Sequence, residues 1–327
     1  VSASLPEYAD ILSAADQIKG HAVRTPLLRN DRLDKLLNAR VFIKAENLQR
    51  TGSFKFRGAC NRISRLSDEE KKRGIIAYSS GNHAQGVSAA ARIFGTSATI
   101  VMPQDAPATK VDGVRFWGGR VVFFDRSSES REEIAADLSK KDGSTLVPPY
   151  EDGFVMAGQG TAGLEAIEQL AELDAQPDIA ICPTGGGGLV AGVGLAVKHH
   201  YPDAQIWAAE PEGFDDHARS LTSGDRVSND KLTGSICDAI ITPTPGKMTW
   251  HLNSRQLAGS AIVSDDEVLD AMAYAWQNFK IIVEPGGIAA FAAVLSGKLD
   301  VAGKTVCVLA TGGNVDLDVY RLALDRL

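Results

Sequence analysis

The chain has 327 residues, a formal net charge of −7 and 44% apolar residues. Such a length buries a large core and fits two domains or one large α/β unit, and no Lys/Arg run is long enough to line a nucleic-acid backbone or an anionic membrane, so neither is an expected partner. No basic N-terminal region precedes an apolar run, no apolar segment reaches the roughly 18 residues of a membrane span, and Cys60, Cys182, Cys237 and Cys307 lack Cys-x-x-Cys spacing, so a cytoplasmic protein with reduced, buried thiols and a small-molecule ligand is expected.

In chain order, residues 46–59 include Ser53-Phe54-Lys55-Phe56-Arg57-Gly58-Ala59. A lysine among small and aromatic neighbours can be kept neutral and nucleophilic and can condense with an aldehyde, although Ser-Phe-Lys alone equally opens a helix with a solvated lysine. A β-α-β-α succession follows: strand 75–78 before helix 84–94, strand 98–102 before helix 109–117, and strand 121–124 before helix 131–140. Ser79-Ser80-Gly81-Asn82-His83 lies at the carboxyl end of the first of these strands, where α/β sheets bind ligands; the same residues also make an ordinary helix cap and turn. Residues 148–153, Pro-Pro-Tyr-Glu-Asp-Gly, break both helix and strand and mark a crossing between domains.

The alternation resumes with helix 160–172, strand 179–182, helix 189–199, strand 205–210, helix 265–279 and strand 305–310, which favours two wound sheets over one. Between the strand at 179–182 and its helix stand Gly185, Gly186, Gly187 and Gly188, whose unhindered N–H groups and helix N-terminus form a phosphate cup. The loop lacks the ending of a nucleotide P-loop and the spacing of a dinucleotide fingerprint; close packing is the alternative use of its glycines. Glu210 and Asp216, with a backbone carbonyl such as that of Phe214, offer oxygen ligands to a hard divalent ion, or else cap the helix that follows. Thr311-Gly312-Gly313-Asn314 turns after the last strand. His199, His200, His217 and His251 fit no catalytic pattern, and Trp117, Trp250 and Trp276 read as core or interface.

Four of these motifs, in this order, resemble the serine/threonine dehydratase and serine racemase family of fold-type II pyridoxal-phosphate enzymes, and the resemblance runs from Arg24 to Asp318. It implies an α/β fold like that of the tryptophan synthase β chain, with two wound parallel-sheet domains: a large one of residues 1–73 and 149–327 and a small one of residues 74–148 that closes over substrate. It places the cofactor on Lys55 beside Phe54, its phosphate on Gly185, Gly186, Gly187 and Gly188, its ring hydroxyl near Asn82 and its pyridine nitrogen on Thr311. Ser79, Ser80, Gly81, Asn82 and His83 become the carboxylate loop, and Ser80 matches the serine with which serine racemases exchange a proton opposite the lysine. Arg131 matches an arginine directed to the substrate region or is a solvated helix residue, and Glu210, Phe214 and Asp216 match a site for Mg²⁺ or another divalent cation. A homodimer is expected.

The activity implied is elimination of water from a β-hydroxy amino acid to give a 2-oxo acid and ammonia. A serine or aspartate-type racemase is the alternative, and a non-catalytic ligand-sensing relative is disfavoured by the intact Lys55. Cysteine synthases show Thr-Ser-Gly-Asn-Thr where this chain has Ser-Ser-Gly-Asn-His. The chain ends shortly after the Thr311 motif, so the regulatory domain of biosynthetic threonine dehydratases and feedback control by isoleucine are not expected. Ala239, in Cys237-Asp238-Ala239, replaces the glycine of the usual Ala-Asp-Gly and adds a methyl near substrate; with Ser80 and Arg131 this makes 3-hydroxyaspartate a candidate beside serine and threonine.

Overall fold

The computed structural model describes residues 4–79, 81–106, 108–125 and 127–327. Its strands are β1 (Leu27–Arg29), β2 (Arg40–Ala45), β3 (Ile75–Tyr78), β4 (Ala98–Pro103), β5 (Arg120–Phe124), β6 (Thr145–Leu146), β7 (Ile179–Pro183), β8 (Gln205–Pro211), β9 (Leu257–Val263) and β10 (Thr305–Ala310). They form two sheets, ordered β1-β2-β10-β7-β8-β9 and β5-β4-β3-β6. Pairings between these strands are parallel except that of β1 with β2.

Unbroken apolar runs explain which strands are central. Every residue of β7 and β10 is buried, because helices cover both faces of the six-stranded sheet. One face carries the helices Gly153–Ala171 and Gly188–His200, packed with Ile11 and Ala14, and the other carries Asp265–Tyr274 and Pro285–Leu295. The first two helices cross at glycines: a Cβ on Gly192 would lie 2.5 Å from the Met156 carbonyl oxygen, so no larger residue fits that contact. The four-stranded sheet packs the helix Asn82–Ile93 on one face and Arg131–Asp142 on the other. Lys55–Ser64 joins the cluster under Asn82–Ile93 and also packs on the helix Gly153–Ala171, where Gly58 N donates to Gln159 Oε1 at 3.0 Å, so the lysine-bearing helix lies between the two sheets.

Several expected elements begin or end elsewhere, for local reasons. The helix expected at 160–172 starts at Gly153, because the Asp152 side chain accepts a hydrogen bond from Val155 N immediately after the proline-rich break. The helix expected at 265–279 is α-helical to Tyr274 and continues as a π turn, Ala275–Phe279, ended by left-handed Lys280 at φ 60°. Trp276, expected in core or interface, is 42% exposed in this single chain.

Candidate active site

The segment before Lys55 is stitched to the end of β10. Ser53 and Gly312 form an isolated antiparallel bridge, Phe54 N donates to Thr311 O at 3.0 Å, and Gly313 N donates to Gly52 O at 2.8 Å. Lys55 therefore begins its helix beside Thr311. Its Nζ donates to the Pro149 carbonyl at 3.0 Å and lies 5.2 Å from the Phe54 ring centroid. Burial pushes this amine down to about 8, so an appreciable share is neutral near neutral pH. Two residues on, Arg57 is wholly buried and bonds Glu46 at 2.7 and 2.8 Å and Glu165 at 2.7 and 2.8 Å, pinning the first turn of the helix.

Across the cleft, β7 ends in the glycine loop. Gly187, at φ 91°, precedes the helix Gly188–His200, whose first N–H groups have no intrahelical acceptor. The loop's carbonyls are held from behind: Thr249 Oγ1 donates to Gly186 O at 2.5 Å and Asn253 Nδ2 donates to Gly187 O at 3.1 Å. A Cβ on Gly186 would stand 2.4 Å from Tyr150 Cδ1, and one on Gly188 would stand 2.9 Å from Tyr150 Cβ. The cradle thus admits glycine only, and with a helix N-terminus and an amine of lowered basicity in the same cleft it fits a phosphate-bearing aldehyde.

At the end of β3, Ser79 N donates to Val101 O at 3.1 Å and Gly81 N donates to Ser79 Oγ at 3.2 Å. Asn82 opens the next helix; its Nδ2 donates to Glu284 Oε1 and its Oδ1 accepts from Asn314 Nδ2 at 2.7 Å. Burial raises the Glu284 carboxyl to about 7. His83 is buried, its Nε2 lies 2.8 Å from Val147 O, and burial first, then the charge of Lys55, pushes it down to about 3, which leaves a neutral ring. Arg131 starts its helix with its guanidinium 5.5 Å from the Tyr78 ring centroid and Nε 2.8 Å from Glu132 Oε1.

Phe54, Lys55, Ser79, Gly81, Asn82, His83, Arg131, Gly185, Gly186, Gly187, Gly188, Ala239 and Thr311 all line this one cleft. Ser80 lies outside the described residues. The cleft also exposes Lys110, Tyr150, Asp238, Thr242 and Glu284, which sequence reasoning passed over. Nothing in their spacing distinguishes them: Lys110 is one lysine of a helix, Tyr150 sits in the segment read as a crossing, and Glu284 precedes a helix-starting proline.

The acidic pair lies apart from the cleft lining. Glu210 accepts from His217 N at 2.8 Å, Ala218 N at 2.9 Å and Ser260 Oγ at 2.6 Å, so it does cap the helix Asp216–Ser223. Ligand atoms of Glu210, Asp216 and His217 lie within 4.8 Å of one another. Asp216 Oδ2 is buried without a hydrogen-bond partner, and burial, then the Glu210 charge, raises that carboxyl to about 7. Unpartnered buried oxygen beside a second carboxylate fits a cation. His217, given no role from sequence, is wholly buried between this cluster and Gly187; neither ring nitrogen makes a hydrogen bond, and Nδ1 lies 3.5 Å from Glu210 Oε1 and 3.9 Å from Asp216 Oδ2.

Comparison with known proteins points the same way as the geometry. Residues 18–312 match the family model described as pyridoxal-phosphate dependent enzyme. The chain is 43% identical over 316 residues to the L-threo-3-hydroxyaspartate ammonia-lyase of a Pseudomonas species, covering 97% of this chain and 98% of that protein. It is 39% identical over 316 residues to the serine racemase of Schizosaccharomyces pombe, covering 97% and 96%. Among solved structures, maize serine racemase superposes with a TM-score of 0.91 at 34% identity, covering 99% of this chain and 98% of that one.

Proposed function

The chain belongs to the pyridoxal-phosphate dependent enzyme family, and from that premise we propose that it is an ammonia-lyase whose preferred substrate is 3-hydroxyaspartate. Its fold is that of fold-type II enzymes, its cofactor is pyridoxal phosphate, and it dehydrates a β-hydroxy amino acid to a 2-oxo acid and ammonia. The observation that carries the residue assignment is the meeting of Lys55, its amine depressed to about 8, with Gly185–Gly188 and Thr311 in one cleft.

Pyridoxal phosphate, when bound, supplies an aldehyde for the substrate amine and an electron sink that acidifies the Cα proton. In this reading Lys55 holds the cofactor and, once released, removes that proton. The N–H groups of Gly185, Gly186, Gly187 and Gly188 hold the phosphate, and Phe54 and Asn82 orient the ring. Thr311 would offer the pyridine nitrogen a hydroxyl, which unlike a carboxylate does not force a proton onto it. Ser79, Ser80, Gly81, Asn82 and His83 hold the substrate carboxylate, while Ala239 and Arg131 shape the side-chain end. Residues 74–148 act as a small domain that closes over the large domain, 1–73 and 149–327.

The 43% identity to an L-threo-3-hydroxyaspartate ammonia-lyase and the two extra cations at the cleft, Lys110 and Arg131, support a dicarboxylic substrate. The 39% identity to a serine racemase keeps racemisation as a second reading, in which Ser80 serves the other face of Cα. Glu210, the Phe214 carbonyl and Asp216 take a divalent cation, Mg²⁺ in this reading. Two copies associate, and the protein works in the cytoplasm, a setting supported by its four buried free cysteines. Among the described residues no helix is long and apolar enough to cross a membrane. The test is ammonia release from serine, threonine and the 3-hydroxyaspartate stereoisomers: a 3-hydroxyaspartate with the highest kcat/KM supports the reading, and release from serine and threonine alone overturns the substrate choice.

A further inference from the structure

Lys110 projects from the helix Ala108–Phe116 into the cleft, where it is one of the two extra cations. Its side chain is only 9% exposed, and its Nζ sits 2.5 Å from Asp238 Oδ2. Its stem runs along the carboxylate loop: a Cβ on Gly81 would stand 3.4 Å from Lys110 Cδ and 3.8 Å from Nζ. The ammonium therefore lies at the edge of the place where the α-carboxylate is held, on the side of the turn Asp238–Ile240 that carries Ala239.

The two partners are unequal. A buried ammonium is costly without an anion, whereas Asp238, its side chain 54% exposed on a surface turn, can return its carboxylate to water cheaply. A carboxylate entering with the substrate would replace one ion pair by another. Serine and threonine bring no such group. Both cations hold an exposed carboxylate, but the Arg131 side chain is 32% exposed against 9% for Lys110, so Lys110 is the one that stays costly without an anion and gains more from a substrate carboxylate.

We propose that Lys110 is a specificity-determining residue that receives the second carboxylate of a dicarboxylic substrate, with Asp238 the internal carboxylate it gives up. This rests on the ammonia-lyase reading and adds its substrate determinant. Two measurements on the holoenzyme test it: kcat/KM for 3-hydroxyaspartate relative to serine, and binding of succinate, which has two carboxylates and no amine, relative to butyrate, followed by thermal shift. Lys110→Gln should lower the kcat/KM ratio by about 10–100-fold, the size of a lost charge-assisted contact. It should also abolish the preference for succinate, and Lys110→Arg should retain both. Asp238→Asn should tighten succinate binding. A merely structural latch predicts the reverse: Asp238→Asn would weaken succinate binding, or Lys110→Gln would lower both substrates alike, and either result overturns the proposal. Succinate binding needs no turnover, so a holoenzyme that releases no ammonia while its succinate preference follows Lys110 would refute the lyase reading and leave this site standing.

Discussion

Gly186 and Tyr150 are in direct contact at the glycine loop: a Cβ on the glycine would stand 2.4 Å from the tyrosine ring. Relieving that overlap requires the Tyr150 ring or the loop to shift, and the loop is braced by Thr249 and Asn253. Gly186→Ala should therefore weaken pyridoxal phosphate binding by roughly tenfold or more, since about 1.4 kcal/mol of strain is already a factor of ten. Cofactor titration checks this, with far-UV circular dichroism to show the fold retained.

Arg57 carries a second prediction, about stability. It is wholly buried and bonded to both Glu46 and Glu165; Glu165 keeps Lys44 at 2.8 Å, so Arg57→Leu strands the fully buried Glu46 carboxylate without a bonded cation. The expected loss is about 3–5 kcal/mol in urea denaturation. Because the network anchors the first turn of the lysine helix, the variant should also lose cofactor affinity.

A third concerns Glu284, raised by burial from the ordinary 4.5 to about 7. A carboxyl whose folded value exceeds its unfolded value favours the native state while protonated, and that contribution is lost as pH rises from the unfolded value through the folded one. Glu284→Gln mimics the protonated form. Its melting temperature should match wild type near pH 4.5, exceed it progressively up to about pH 7 and hold a constant margin above that; parallel curves throughout would contradict the assignment.

The acidic cluster gives the fourth. Binding of a divalent cation to the native state alone raises stability by mass action. EDTA should lower the melting temperature, Mg²⁺, Mn²⁺ or Ca²⁺ should restore it, and Asp216→Ala should abolish the response. Glu210→Ala should cost more than the cation alone, because it also uncaps His217 N and Ala218 N, a loss of about 1–3 kcal/mol.

The local motifs were legible because the chemistry is written in consecutive residues. Lys55, Asn82, Gly185–Gly188 and Thr311 each sit at a strand end or helix start that apolar runs already mark, and β3 and β10 fall where those runs predict. Lys110, Tyr150, Asp238 and Glu284 were not legible, since their meaning arises when segments far apart in the chain close on one cleft. β1 and β6, at three and two residues, are too short to show a period, and β9 contains Gly259 and Ser260, which weaken a strand pattern. The acids at 210 and 216 left two readings open; the structure realises the helix cap and leaves Asp216 Oδ2 without a hydrogen bond, so capping and cation binding are not exclusive.

The central claim is that Lys55 carries the cofactor. Borohydride reduction of the holoenzyme, followed by proteolysis and mass spectrometry, tests it most directly: the visible absorbance should vanish on reduction and the pyridoxyl group should be found on the peptide containing Lys55. A pyridoxyl group on another lysine such as Lys110, or a wild-type protein that takes up no pyridoxal phosphate, would contradict the account.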